Sequence, residues 1–230
     1  MRNLHTKNVT SWAPHRKFMS STDEDKLVID YFKSKKNGYL MDISAADGVT
    51  GSNSFRLINE FDWSGLLVEP CIKHKNNLDT LYTDIDDVDV YYGAISGEKT
   101  ELTFYELPAD AVGMSYTAER SHGAPENCPF PIVDSYNVPA ININTLLEKY
   151  NAPTEIDFFS LDIEGAEQEV INYIDMSKYN IKMWCIELDP SSIILYGADV
   201  FNKFFIDNGY KKFNTSGYNI AIENQFWVKE

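Results

Sequence analysis

DISAADGVTGSN at residues 42–53 follows the apolar run Tyr39-Leu40-Met41 and precedes Phe55, Ile58 and Phe61, three apolar residues on one helical face. A strand that runs through a small-residue bend into a helix is the opening unit of a doubly wound α/β sheet. Ser44, Ala45 and Ala46 let a ligand approach the backbone, and Gly48 and Gly51 permit tight turning. Free amides at the start of the following helix suit a carboxylate, with Ser52 or Asn53 serving as cap or as ligand. No GxGxxG and no phosphate-binding P-loop is present, which argues against a dinucleotide or a nucleoside triphosphate.

Twenty-one residues beyond Gly48 stands Glu69, at the end of the run Leu66-Leu67-Val68. An acid near this offset suits a nucleoside with free 2′ and 3′ hydroxyls, whether a nicotinamide cofactor or S-adenosylmethionine. Taken alone, Glu69 is equally a solvated acid at a strand end. Further strands are expected at 39–44, 65–69, 88–95, 156–162 and 182–188, alternating with helical stripes such as Val170, Ile171 and Ile174. Ser21-Thr22-Asp23-Glu24 has capping-box spacing ahead of Leu27, Val28, Tyr31 and Phe32. After Gly209 the period shortens to two, predicting a closing hairpin of residues 210–214 and 219–228 about Ser216-Gly217.

With these stretches in order, the chain resembles the FkbM methyltransferase family. The resemblance is carried by DISAADGVTGSN, by WSGLLVEP at residues 63–70 and by FFSLDIEGAE at residues 158–167, and extends from about Ser21 to Asp189. It implies a Rossmann-like class I methyltransferase fold: a mostly parallel seven-stranded sheet, helices on both faces and a C-terminal antiparallel hairpin. It further implies S-adenosyl-L-methionine as cofactor and methyl transfer, typically to oxygen, on sugars or natural products. Candidate cofactor residues along the first strand and bend are Asp42, Ser44, Ala45, Asp47, Gly48, Ser52 and Asn53. Those beyond it are Glu69, Pro70, Ala94 and Asp162, with Asp84, Tyr92 and Ile95 as looser adenine neighbours. The family usually has glycine where this chain has Ser44, which removes one point of backbone freedom beneath the cofactor.

Asp162, Glu164 and Glu167 follow the expected fourth strand, and Glu187 and Asp189 end the next. Adjacent parallel strands would gather these carboxylates at one edge, where one acid has a raised pKa or a cation or donors neutralise the cluster. Asp162 and Glu164 are candidate bases for an acceptor hydroxyl, and a divalent cation held by these oxygens is chemically reasonable. On the plainer reading Asp162 caps the next helix and Glu164 and Glu167 complement its positive end. His122, near Arg120, is an alternative base.

The formal charge of −15, partly clustered in residues 79–89, repels phosphate backbones and anionic membranes, so nucleic acid is not an expected partner. A small-molecule or glycan acceptor is. Hydrophobic residues at 43% exclude disorder along the whole length. Cys71, Cys128 and Cys185 lack disulfide or zinc-ligand spacing, and His5, His15 and His74 show no convergent partners. With no apolar leader and no long apolar run, no membrane insertion and a cytoplasmic location are expected. Residues 1–20 are expected to form a polar arm, 21–230 the methyltransferase domain, and 100–139 an irregular insertion that either binds the acceptor or is a surface excursion anchored by Phe104, Tyr105 and Phe130. The competing functions are a nicotinamide-dependent oxidoreductase, which should show GxGxxG, and a non-catalytic binding protein on the same fold.

Overall fold

The computed structural model describes residues 20–108, 115–117, 130–188 and 197–229. Most of the arm, together with Arg120, His122, Cys128 and Asp189, lies outside the described residues. The chain runs α1 (Glu24–Tyr31), β1 (Tyr39–Ile43), α2 (Phe55–Phe61), β2 (Ser64–Val68), a 3-10 turn (Ile72–His74), α3 (Lys75–Tyr82), β3 (Val88–Tyr91) and β4 (Ala94–Ile95). There follow β5 (Glu101–Glu106), β6 (Tyr116–Thr117), β7 (Asp134–Ile141), α4 (Ile143–Lys149), β8 (Glu155–Leu161) and α5 (Gln168–Ile171). The chain then forms β9 (Asn180–Glu187), α6 (Ala198–Asp207), β10 (Tyr210–Lys212) and β11 (Asn224–Lys229).

Seven strands form the main sheet in the order β10-β11-β9-β8-β1-β2-β3. β3, β2, β1, β8 and β9 are parallel, whereas β11 lies antiparallel between β9 and β10. Alternation along the strands gives the sheet two apolar faces. Leu40, Leu67 and Phe158 pack on one side with Leu27, Ile58 and Leu78 of α1, α2 and α3. Met41, Leu66 and Phe159 pack on the other with Leu146, Val170 and Phe205 of α4, α5 and α6. Outward from β1 the order proceeds through β2 and β3 on one side and through β8 and β9 on the other. The loops after β1 and β8 therefore lead to helices on opposite faces, and a crevice opens at this switch in strand order.

Two expectations are corrected in detail. The capping box does not form from Ser21: Asp23 occupies the N-cap without a side-chain bond, and the buried Glu24 accepts the amide of Thr22 (3.0 Å) and the side chain of Asn224 (2.9 Å). The hairpin opens later than its pattern suggests, because residues 219–223 turn aside to the start of α1, where Asp23 and Asn219 exchange hydrogen bonds of 2.8 Å.

The segment expected to be irregular holds ordered strands. β5 pairs antiparallel with β7 from Glu101↔Pro139 to Glu106↔Asp134, β7 pairs with β4, and β6 borders β5. Leu102 and Phe104 face Val138 and Ala140 in a small core of their own. Tyr105 is half-buried and Phe130 is 36% exposed, so Phe104 alone of the three expected anchors is fully buried. Among the described residues, no helix is long and apolar enough to cross a membrane.

Candidate active site

β1 ends at Ile43, and the amides of Ser44 and Ala45 both donate to the Val68 carbonyl of β2 at 3.0 Å. The chain then bends through four residues of positive φ: Ser44 (88°), Ala46 (49°), Gly48 (80°) and Gly51 (72°). Ser44 thus occupies a left-handed conformation that glycine adopts without strain. Gly48 is demanded by packing as well, since a Cβ there would lie 2.8 Å from Leu78 and 2.9 Å from Leu81 of α3. Asp47 accepts the amides of Val49 (2.8 Å) and Thr50 (2.7 Å), and Ser52 accepts those of Ser54 (3.2 Å) and Phe55 (3.0 Å). Asp47 and Ser52 thus brace the bend and the start of α2.

Behind the bend lies a buried polar network. Asp42 accepts the Ser54 hydroxyl at 2.6 Å and is hydrogen-bonded to Ser160, whose hydroxyl receives the Asn53 side chain at 3.1 Å. Burial pushes the Asp42 carboxyl up to about 6 against these hydrogen bonds. Ser54 and Ser160 escaped the sequence reading, although a Ser-x-Ser at a helix start is the signal that would have found the first.

Glu69, only 4% exposed, bridges two segments: one oxygen accepts the Ala46 amide and the other the Cys71 amide, each at 2.7 Å. Burial pushes its carboxyl up to about 7 despite both amides, and the charges of Asp42 and Asp47 add to the shift. Its amide donates to Tyr91 at the end of β3 (3.0 Å), and its carbonyl accepts the amide of Gly93 just beyond that strand (3.1 Å). Beside it a cleft is walled by Ile43, Ser44, Val68, Pro70, Ala94 and Ile95, together with Phe104, Ser115 and Thr117. Ser44, Pro70 and Ala94 therefore reach the cleft wall. Ala45 packs in the core on the α1–α3 side, and Asp42, Asp47 and Ser52 support the wall from behind.

Ile163 and Ala166, in the loop after β8, close the other side of the cleft. Glu164 and Gly165 both have positive φ (57° and 96°), and the buried Glu167 holds the turn by accepting the amides of Ile163 (3.2 Å) and Gly165 (3.0 Å). Helix α5 starts at Gln168 with Glu167 at its N-cap, so Asp162 does not cap it. Asp162 instead shares a hydrogen bond with Glu187, and burial, with the charges of Glu164, Glu167 and Asp42, pushes its carboxyl up to about 7. Two carboxyls joined this way hold a proton between them. Asp162, Glu164 and Glu187 present oxygens within 4.8 Å of one another, a donor set that a hard cation also accepts.

His74 departs from expectation, standing with Glu69 and Cys71 such that one ligand atom of each lies within 4.8 Å of the others. Burial holds its imidazole below the usual value, with Asp47 and Glu106 opposing.

An open doubly wound sheet with a cleft at its switch point, an acid at the end of the second strand and carboxylates at the edge of β8 is the architecture of the doubly wound α/β enzymes. Residues 42–211 match the family model described as the methyltransferase FkbM domain, and the chain belongs to that family. No curated protein matches the chain. Solved structures similar to it include a methyltransferase FkbM from Methylobacillus flagellatus KT, at 14% identity and TM-score 0.46, covering 85% of this chain and 44% of that one. A precorrin-6y C5,15-methyltransferase from Geobacter metallireducens GS-15 is similar at 11% identity and TM-score 0.44, covering 95% and 93%. The Methanococcus jannaschii fibrillarin pre-rRNA processing protein is similar at 11% identity and TM-score 0.45, covering 85% and 66%. The chain thus spans less than half the length of the FkbM structure it resembles.

Proposed function

We propose that this protein transfers the methyl group of S-adenosylmethionine to a hydroxyl of a sugar, glycan or other hydroxylated small molecule. The observation that carries the reading is Glu69: a carboxylate buried beside the cleft at the end of β2, in a chain of a methyltransferase family. Each of its oxygens accepts one amide and keeps a lone pair for a ribose hydroxyl. Ile43, Val68, Ala94 and Ile95 offer apolar surface to a flat base.

The sulfonium, when bound, supplies an activated methyl group, and the chain's task is to orient the acceptor and take its proton. Asp162 is the group we assign to the proton, since burial brings its carboxyl near neutrality, where it accepts a proton efficiently, while the hydrogen bond shared with Glu187 keeps its ionised form available and oriented. Glu164 extends the acidic rim, and Phe104, Ser115 and Thr117 are positioned to contact the acceptor from the cleft wall.

Thermal denaturation with S-adenosylhomocysteine, and separately with NADH, tests the reading. At 100 times Kd the first should add about 2.7 kcal/mol, or roughly 5–10 °C for a domain of this size, and NADH nothing. Stabilisation by NADH alone would support an oxidoreductase, and by neither a fold retained for binding.

A further inference from the structure

β2 stops at Val68, Pro70 carries no amide to continue it, and the 3-10 turn Ile72–His74, closed by His74 N–H to Cys71 C=O at 3.1 Å, folds the chain back. Glu69, Cys71 and His74 thereby converge: a carboxylate oxygen, a thiol sulfur and an imidazole nitrogen all within 4.8 Å of one another. Ribose recognition uses only the first of the three. A carboxylate, a thiolate and an imidazole are together the ligand set of zinc and its borderline-soft neighbours, at bond lengths of about 2.0–2.3 Å. Donors around such an ion stand roughly 3.5 Å apart, so small inward rotations of the three side chains complete the site.

We infer that Glu69, Cys71 and His74 bind a divalent cation of the zinc class, leaving its fourth position open. Groups that orient Glu69 and Cys71 are in place. Glu69 accepts the Cys71 amide at 2.7 Å, which fixes the carboxylate against the ligand loop. The Tyr136 hydroxyl lies 3.7 Å from the Cys71 sulfur and accepts the Ile72 amide at 3.1 Å, pinning both ends of the thiol's segment to β7. Lys73 points instead to Glu106, with which it forms an ion pair. Binding would release the Cys71 thiol proton to solvent. Glu69 is claimed by both ligands, so the metal and the nucleoside compete; this consequence alone rests on the cofactor reading above.

The test is titration of the chelator-treated full chain with Co2+ alone, followed by displacement with Zn2+. The wild type should take up one equivalent with a thiolate-to-cobalt charge-transfer band, which Cys71→Ser abolishes and Cys128→Ser retains. His74→Ala should weaken binding at least roughly 100-fold and Tyr136→Phe about tenfold, if a direct ligand costs no less than an outer one. Absence of the band in the wild type, its survival in Cys71→Ser, or wild-type affinity in His74→Ala would overturn the site. Saturating S-adenosylhomocysteine should lower cobalt affinity, and unchanged affinity would overturn the shared use of Glu69. Because the band is read without nucleoside, failure of the cofactor reading does not alter it.

Discussion

The loops leaving β1 and β8 stand side by side at one edge of the sheet, and each is clamped by one buried glutamate. Glu69 accepts the amides of Ala46 and Cys71, and Glu167 those of Ile163 and Gly165. Burial pushes both carboxyls up to about 7. Both loops contain non-glycine residues of positive φ, Ser44 and Ala46 in one and Glu164 in the other. They differ in reach. Glu69 comes from a neighbouring strand and fastens two separate segments around the cleft, whereas Glu167 lies within four residues of both its partners and shapes only its own turn. A clamp that reaches between strands is suited to hold a ligand against both, and a local clamp to aim the acids it follows, Asp162 and Glu164.

The largest effect should fall on the β8 side, where Asp162→Ala is expected to lower methyl transfer about 10²–10⁴-fold while S-adenosylhomocysteine affinity stays within about threefold, within the scatter of modest contact changes. Radiolabelled methyl incorporation into a panel of hydroxylated glycans, beside calorimetry, reads both quantities. Loss of affinity equal to the loss of rate would erase the division between the loops.

Glu167→Ala should cost about 2–4 kcal/mol in chemical denaturation, because two amides lose their acceptor, and Glu167→Gln should recover part of it. A full recovery of stability with Gln would show that the local clamp works through shape and not through charge.

The pH dependence of stability follows from the raised carboxyls. Between about 4 and 7 the folded protein keeps protons on Glu69 and Glu167 that the unfolded chain has released, so their contribution is complete below the ordinary carboxylate range and is lost as pH rises toward 7. Each contributes on the order of 1–3 kcal/mol. Stability should therefore fall from pH 5 to pH 8, and Glu69→Gln and Glu167→Gln should each flatten the decline; a decline that steepens in either variant contradicts the assignment.

Smallest is the backbone effect. Ser44→Gly and Glu164→Gly each remove a left-handed non-glycine residue and should raise stability by about 1 kcal/mol, measured by thermal melting. Only the first should leave methyl transfer intact.

The five parallel strands and the bend after β1 were legible because buried parallel strands appear as continuous apolar runs and because glycines mark the turn. β5 and β7 were not. Their residues alternate over only a few positions, β7 contains Pro139, a residue that argues against a strand, and the partner of Glu101 lies far along the chain, where no local pattern announces it. In the site, Glu69 was legible from its offset after Gly48, but the amides it holds depend on Ala46 adopting positive φ, which composition does not reveal. His74 seemed isolated because a single turn of 3-10 helix, not a regular element, brings it back to Glu69 and Cys71.

Calorimetric titration of S-adenosylhomocysteine onto the wild type and onto Glu69→Ala, with circular dichroism confirming the fold of the variant, bears most directly on the interstrand clamp. Loss of two charge-assisted hydrogen bonds should weaken binding at least about 100-fold. Equal affinity for the two proteins would contradict the account.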